Sequence, residues 1–149
     1  MNLNKLFLRH CDENKFEVNQ NQLDIINDLQ DYYDHNFNQS LFQKIFKKKN
    51  NNLGFYLVGD VGVGKTMILN FFFKKFNEKK IRLHFNEFMV EFHNFIYANR
   101  NKENGIDLFV EDLSRKARLI YFDEFQVTNI VDAMILGKLF KKLFEEKIK

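Results

Sequence analysis

Eight consecutive residues, Gly59, Asp60, Val61, Gly62, Val63, Gly64, Lys65 and Thr66, satisfy the pattern GxxxxGK[ST] without a mismatch. Glycines are required there because successive backbone N–H groups must converge on phosphate oxygens, at angles and distances that a Cβ obstructs. A lysine at the seventh position places a mobile charge beside the β and γ phosphates, and the following hydroxyl can ligate Mg²⁺. A glycine turn alone would not explain Lys65 followed by Thr66. A second constellation lies downstream, where the apolar run Leu119, Ile120, Tyr121, Phe122 ends in Asp123 and Glu124. A strand of this kind delivers one carboxylate to a metal shell, a role that falls to Asp123, commonly through a bound water. Glu124 is placed to accept a proton from an attacking water.

These groups need a scaffold. Phe55 to Val58 is a short apolar run between Gly54 and Gly59, which predicts a buried strand leading into the glycine loop. From Lys65 onward Ile68, Leu69, Phe72, Phe73 and Phe76 fall on one helical face. The start of that helix aims its free N–H groups and positive dipole end at the same anion. Ile81, Leu83 and Phe85 alternate as a strand, and Phe88, Met89, Phe92, Phe95 and Ile96 return to helical spacing. A short helix carrying Ile106, Leu108, Phe109 and Leu113 precedes the acidic strand, and a last one carries Ile130, Met134, Ile135, Leu139, Leu143 and Phe144. Strands alternating with helices predict an α/β fold, a P-loop NTPase with a parallel sheet covered by helices on both faces. Upstream, Leu23, Ile26, Leu29 and Tyr33, then Phe37, Leu41 and Ile45, predict two helices in series. The chain thus divides into a helical segment, 1–53, and a P-loop segment, 54–149.

The bulk properties agree with one soluble domain. The chain has 149 residues, a net charge of +3 and 45% hydrophobic residues, with 19 Phe to fill a core. Cys11 is the one cysteine, so no internal disulfide is available, and a small buried side chain in a reducing compartment is expected. No run approaches a membrane span, and charges at Arg9, Asp12, Glu13, Lys15 and Glu17 interrupt any signal-peptide core, which points to the cytoplasm. Lys47, Lys48 and Lys49 form the one basic cluster, beside three Asn, and read as a solvated loop. So small a basic excess argues against nucleic acid as a partner. His84 and His93 lack neighbours at zinc spacing.

Three blocks in order, GFYLVGDVGVGKTMILNFFF, RLHFNEFMVEFH and LIYFDEFQVTNIVDAMIL, resemble the ZapE-type, or Afg-like, ATPases. The resemblance runs from about residue 54 to 140, and DEFQVT after the acidic strand is its narrowest element. It implies an AAA-like fold, hydrolysis of Mg²⁺-ATP and, in bacteria, association with the tubulin-like division protein FtsZ. Where the family shows a second His after HF this chain has Asn86, and where it shows an Asp after the VT pair this chain has Asn129. A DxxQ-like element near the start takes the form of Asn19 with Gln22. Only 25 residues follow Glu124. The resemblance implies a further strand with a polar sensor, an arginine finger and a helical lid, which makes 54–149 the N-terminal half of an ATPase domain, so a truncated or split-gene product is expected. Its partners would then be ATP and either a complementing C-terminal half or further copies of itself. A catalytically dead remnant that binds nucleotide or a partner, and a helicase-loader-like ATPase, are the alternative readings.

Overall fold

The computed structural model describes residues 2–38, 52–60 and 62–149. It divides into two compact units, Met1–Phe76 and Asn77–Lys149.

In the first unit Leu3, Phe7 and Cys11 recur every four residues and form the buried stripe of helix α1, Leu3–Asn14. Asn2 caps its start by accepting the Lys5 N–H, and Lys15 ends it in a left-handed conformation. Helix α2, Gln20–Asn36, begins in a capping box in which the Asn19 side chain accepts from the Gln22 N–H and the Gln22 side chain accepts from the Asn19 N–H. The DxxQ-like element is therefore the start signal of a helix. Helix α3, Lys65–Lys75, follows the glycine loop. Ile68, Phe71 and Phe72 are its buried residues, whereas Leu69 and Phe73 of the expected stripe are half-buried. Aromatic edges join these elements: Phe7 against Phe71 at 5.2 Å, and Phe37 against Phe76 at 4.6 Å between ring centres. The expected second helix through Leu41 and Ile45, and Lys47 to Lys49, lie outside the described residues.

One expectation changes here. Phe55 to Val58 takes no strand, although Leu53, Phe55 and Leu57 are half-buried while Gly54, Tyr56 and Val58 are exposed, the alternation of an extended chain. An apolar run becomes a strand only beside a partner, and the ladder among the described residues joins two other segments.

The second unit contains that ladder. Strand β1, Lys80–His84, and strand β2, Leu119–Asp123, pair in parallel with Arg82 opposite Tyr121 and His84 opposite Asp123. Phe85, expected to end β1, instead opens helix α4, Phe85–Ala98. Helix α5, Gly105–Lys116, completes the crossover, and helix α6, Ile130–Glu145, follows β2. Ile81, Leu83, Ile120 and Phe122 turn one face of the pair onto the core built from Phe88, Phe92, Phe109, Leu113, Leu136, Leu139 and Leu143. The strand period sends Lys80, Arg82, His84, Leu119, Tyr121 and Asp123 to the opposite face, where Leu119 is buried and the other five carry polar groups.

The far edge of β2 is also engaged. The Lys149 N–H donates to the Arg118 carbonyl at 2.9 Å and the Ile120 N–H to the Lys149 carbonyl at 2.8 Å, the bonding of a parallel neighbour. Ile148 beside it is buried. No described helix is long and apolar enough to cross a membrane.

Candidate functional site

The glycine loop belongs to the first unit. Gly62 and Gly64 both stand at φ 88°, in the left-handed region that costs most side chains energy. At Gly64 space is short too, since a Cβ would meet the Gln22 amide nitrogen at 3.1 Å. No side chain caps α3 at Gly64, and its first intrahelical bond is Ile68 N–H to the Gly64 carbonyl at 3.0 Å. The N–H groups of Lys65, Thr66 and Met67 precede that bond and have no acceptor within the helix, the arrangement that suits an anion. Lys65 Nζ donates to the carbonyls of Gly59 at 2.6 Å and Asp60 at 2.5 Å, so the ammonium lies back across its own loop. Asp60, Val63 and Thr66 are exposed, and Val61 lies outside the described residues.

The acidic pair belongs to the second unit. Asp123 ends β2, and its Oδ2 accepts from Arg82 Nε at 2.5 Å across the parallel ladder. Burial pushes its carboxyl up, but hydrogen bonds from Arg82 and Tyr121 and the positive field of Arg82 and His84 outweigh this and hold it below the ordinary carboxylate range. Tyr121 moves the other way, to about 12, through burial and its bond to Asp123. Glu124 is exposed and stands at φ 52°, left-handed for a residue with a Cβ. Packing on either side maintains this: β2 fixes Asp123, and Phe125 lies 4.5 Å from Phe85 between ring centres and 6.0 Å from Phe140. Gln126 is exposed. Asn129, at the position of departure from the family pattern, caps α6 by accepting the Val131 N–H at 2.8 Å.

The donor chemistry suits Mg²⁺. Asp123 offers a carboxylate that favours its charged form, and Thr66 offers a hydroxyl, both hard oxygen donors. Among the described residues no three His, Cys, Asp or Glu converge, and Mg²⁺ characteristically completes its shell with phosphate oxygens and water. His93 is engaged elsewhere, 3.0 Å from Asp132. Cys11 is buried, and burial pushes its thiol up. Arg82, Tyr121 and Phe125 escaped the sequence reading, because their relevance arises from a register and a packing contact that no local pattern carries.

Comparison with known proteins adds the next observation. The family model described as AFG1-like ATPase matches residues 4–149. The chain belongs to the AFG1-like ATPase family. It is similar to the cell division protein ZapE of Escherichia coli K12, 36% identical over 96 residues that cover 64% of this chain and 26% of the relative. It is also similar to lactation elevated protein 1 homolog B of Danio rerio, 38% identical over 104 residues covering 62% of this chain and 21% of the relative. A Schizosaccharomyces pombe protein, C115.02c, is 31% identical over 99 residues, covering 62% and 22%. This AFG1-like chain therefore spans about a quarter, or less, of the length of the curated relatives it matches. No solved structure matches it.

Proposed function

We propose that this AFG1-like chain binds Mg²⁺-ATP over Gly59–Thr66, with Lys65 on the β and γ phosphates, Thr66 and Asp123 on the metal side, and Glu124 as the base of a hydrolytic reaction. The observation that carries the reading is the loop itself: a complete phosphate-binding octapeptide that opens a helix, with two glycines at φ 88°. The metal would supply charge neutralisation and orientation for the phosphates. This chain's part is to offer the cradle of N–H groups, to hold an ionised carboxylate at the end of a rigid strand, and to place a second carboxylate on a fixed turn.

Family membership supports ATP as the nucleotide. Extending the reading to cell division, with a division protein such as FtsZ as partner, draws on the name of the Escherichia coli relative and on the resemblance of the three sequence blocks. Hydrolysis is proposed for a complete chain or assembly. No arginine follows Arg118 within these residues, and stabilising charge that develops on the γ-phosphate is usually the largest catalytic term.

Calorimetric titration of the folded chain with ATP, with and without Mg²⁺, tests the binding. Saturable, Mg²⁺-enhanced binding is expected, and a folded chain that takes up no ATP would refute the reading. Steady-state phosphate release by the isolated chain should not rise above that of Lys65→Ala. In any assembly that does turn over, Glu124→Gln should retain ATP and stop phosphate release.

A further inference from the structure

Asp123 is the carboxylate that the proposed function assigns to the metal, yet one of its oxygens, Oδ2, already accepts from a guanidinium. The parallel register puts Arg82 opposite Tyr121 and two residues short of the strand end, so that the guanidinium reaches diagonally to Asp123 Oδ2 at 2.5 Å. The same guanidinium lies 4.9 Å from the centre of the Tyr121 ring, which fixes its plane. The Tyr121 side chain hydrogen-bonds the same carboxylate. Asp123 is 15% exposed and Arg82 39%, so the acid is largely enclosed while the base has solvent to retreat into. Both residues lie on the face of the strand pair opposite the aromatic core. A helix dipole or a remote charge would act on Asp123 diffusely, whereas Arg82 takes one specific oxygen.

We infer that Arg82 is a positioning residue that acts as a latch on Asp123, occupying the carboxylate until a divalent cation displaces it and so setting the Mg²⁺ concentration at which nucleotide is held. The inference rests on the proposed role of Asp123. Its physical basis is competition: one carboxylate oxygen cannot serve a guanidinium and a metal-bound water along the same direction, and the guanidinium's charge repels the incoming cation. Tyr121 stays with the carboxylate in either state and keeps its orientation. Loss of Arg82 should therefore ease the entry of the metal.

The test is a Mg²⁺ titration of the binding of a fluorescent ATP analogue to the full chain, carried out on parent, Arg82→Gln, Asp123→Asn and the double variant. The latch predicts that Arg82→Gln lowers the half-saturating Mg²⁺ concentration about 3- to 5-fold, the upper range for a partly exposed ion pair. Binding without Mg²⁺ should be unchanged, and Arg82→Gln should have no effect in the Asp123→Asn background. A residue that merely held the fold together would not move the Mg²⁺ midpoint alone. If Arg82→Gln leaves that midpoint in place or raises it while Asp123→Asn raises it, the latch is overturned and the role of Asp123 stands. If Asp123→Asn leaves the Mg²⁺ dependence untouched, both fall. Should Arg82→Gln fail to fold, Arg82→Lys keeps the charge and loses the planar fork, and a smaller shift in the same direction is expected.

Discussion

The two segments that carry the proposed site residues are held in opposite ways. Gly59–Thr66 is organised by its own backbone: glycines at φ 88°, a helix start, and a lysine that bonds carbonyls five and six residues before it. Asp123 and Glu124 are organised by distant residues, since Arg82 is 41 positions from Asp123 and Phe125 is anchored on Phe85 and Phe140. A cradle for phosphate can be local because its donors are consecutive N–H groups. A metal carboxylate must be rigid at one point in space, and a paired strand with a packed flank provides that. Loss of the loop's charged side chain should therefore register in ligand affinity, and damage to the packing behind the acidic strand in stability.

Truncating the second unit's core is the severest way to press this contrast. Phe88 is fully buried and meets Phe109 and Phe122, so Phe88→Ala should cost about 3–5 kcal/mol of stability, seen as faster hydrogen exchange at the β1 and β2 amides. Comparable exchange in parent and variant would show that the strand pair does not depend on that packing. Lys65→Ala should do the converse, lowering ATP affinity about 100-fold through loss of charge-assisted hydrogen bonds with little change in melting temperature. A folded Lys65→Ala chain with parental affinity would remove the basis for a local phosphate cradle. Gly64→Ala places a side chain in left-handed backbone and against Gln22, and should destabilise by about 1–2 kcal/mol in chemical denaturation. An unaffected midpoint would mean that the loop relaxes without cost. The smallest expected effect is Glu124→Gly, which relieves the left-handed strain and should stabilise the chain by about 0.5 kcal/mol while removing the proposed base. If it destabilises instead, the Glu124 side chain contributes more to the fold than its exposure implies.

This contrast also decides how much was legible in the sequence. The phosphate loop could be read because its requirements are contiguous, and α2 and α3 because their apolar residues repeat every three or four positions. Helix α1 had the same signal in Leu3, Phe7 and Cys11 but was masked by the charged residues between them. Phe55 to Val58 was overread, because composition reports that a segment is apolar and leaves open whether a neighbour lies beside it. Phe71 is buried where spacing favours Leu69, because a helix crowded with Phe offers more than one apolar face. Nothing local announces that Arg82 stands opposite Tyr121, since a parallel register is fixed by the crossover that joins the strands. The left-handed Glu124 is a consequence of the Phe125 anchor, which becomes visible only when Phe85 and Phe140 are in place.

The bonds between Lys149 and the far edge of β2 bear on the order in which the molecule assembles. Helices close early because their partners are near in sequence, whereas β1 must wait for β2 to arrive across the α4–α5 crossover. On the ribosome β2 would emerge and pair with β1 while its other edge still lacked Arg118 and Ile120 bonds to residue 149. During that interval a half-formed parallel pair presents one bonding edge to whatever extended chain is at hand, so the burial of Ile148 and the docking of Lys149 serve as a late closing step that ends the period of greatest susceptibility to mispairing.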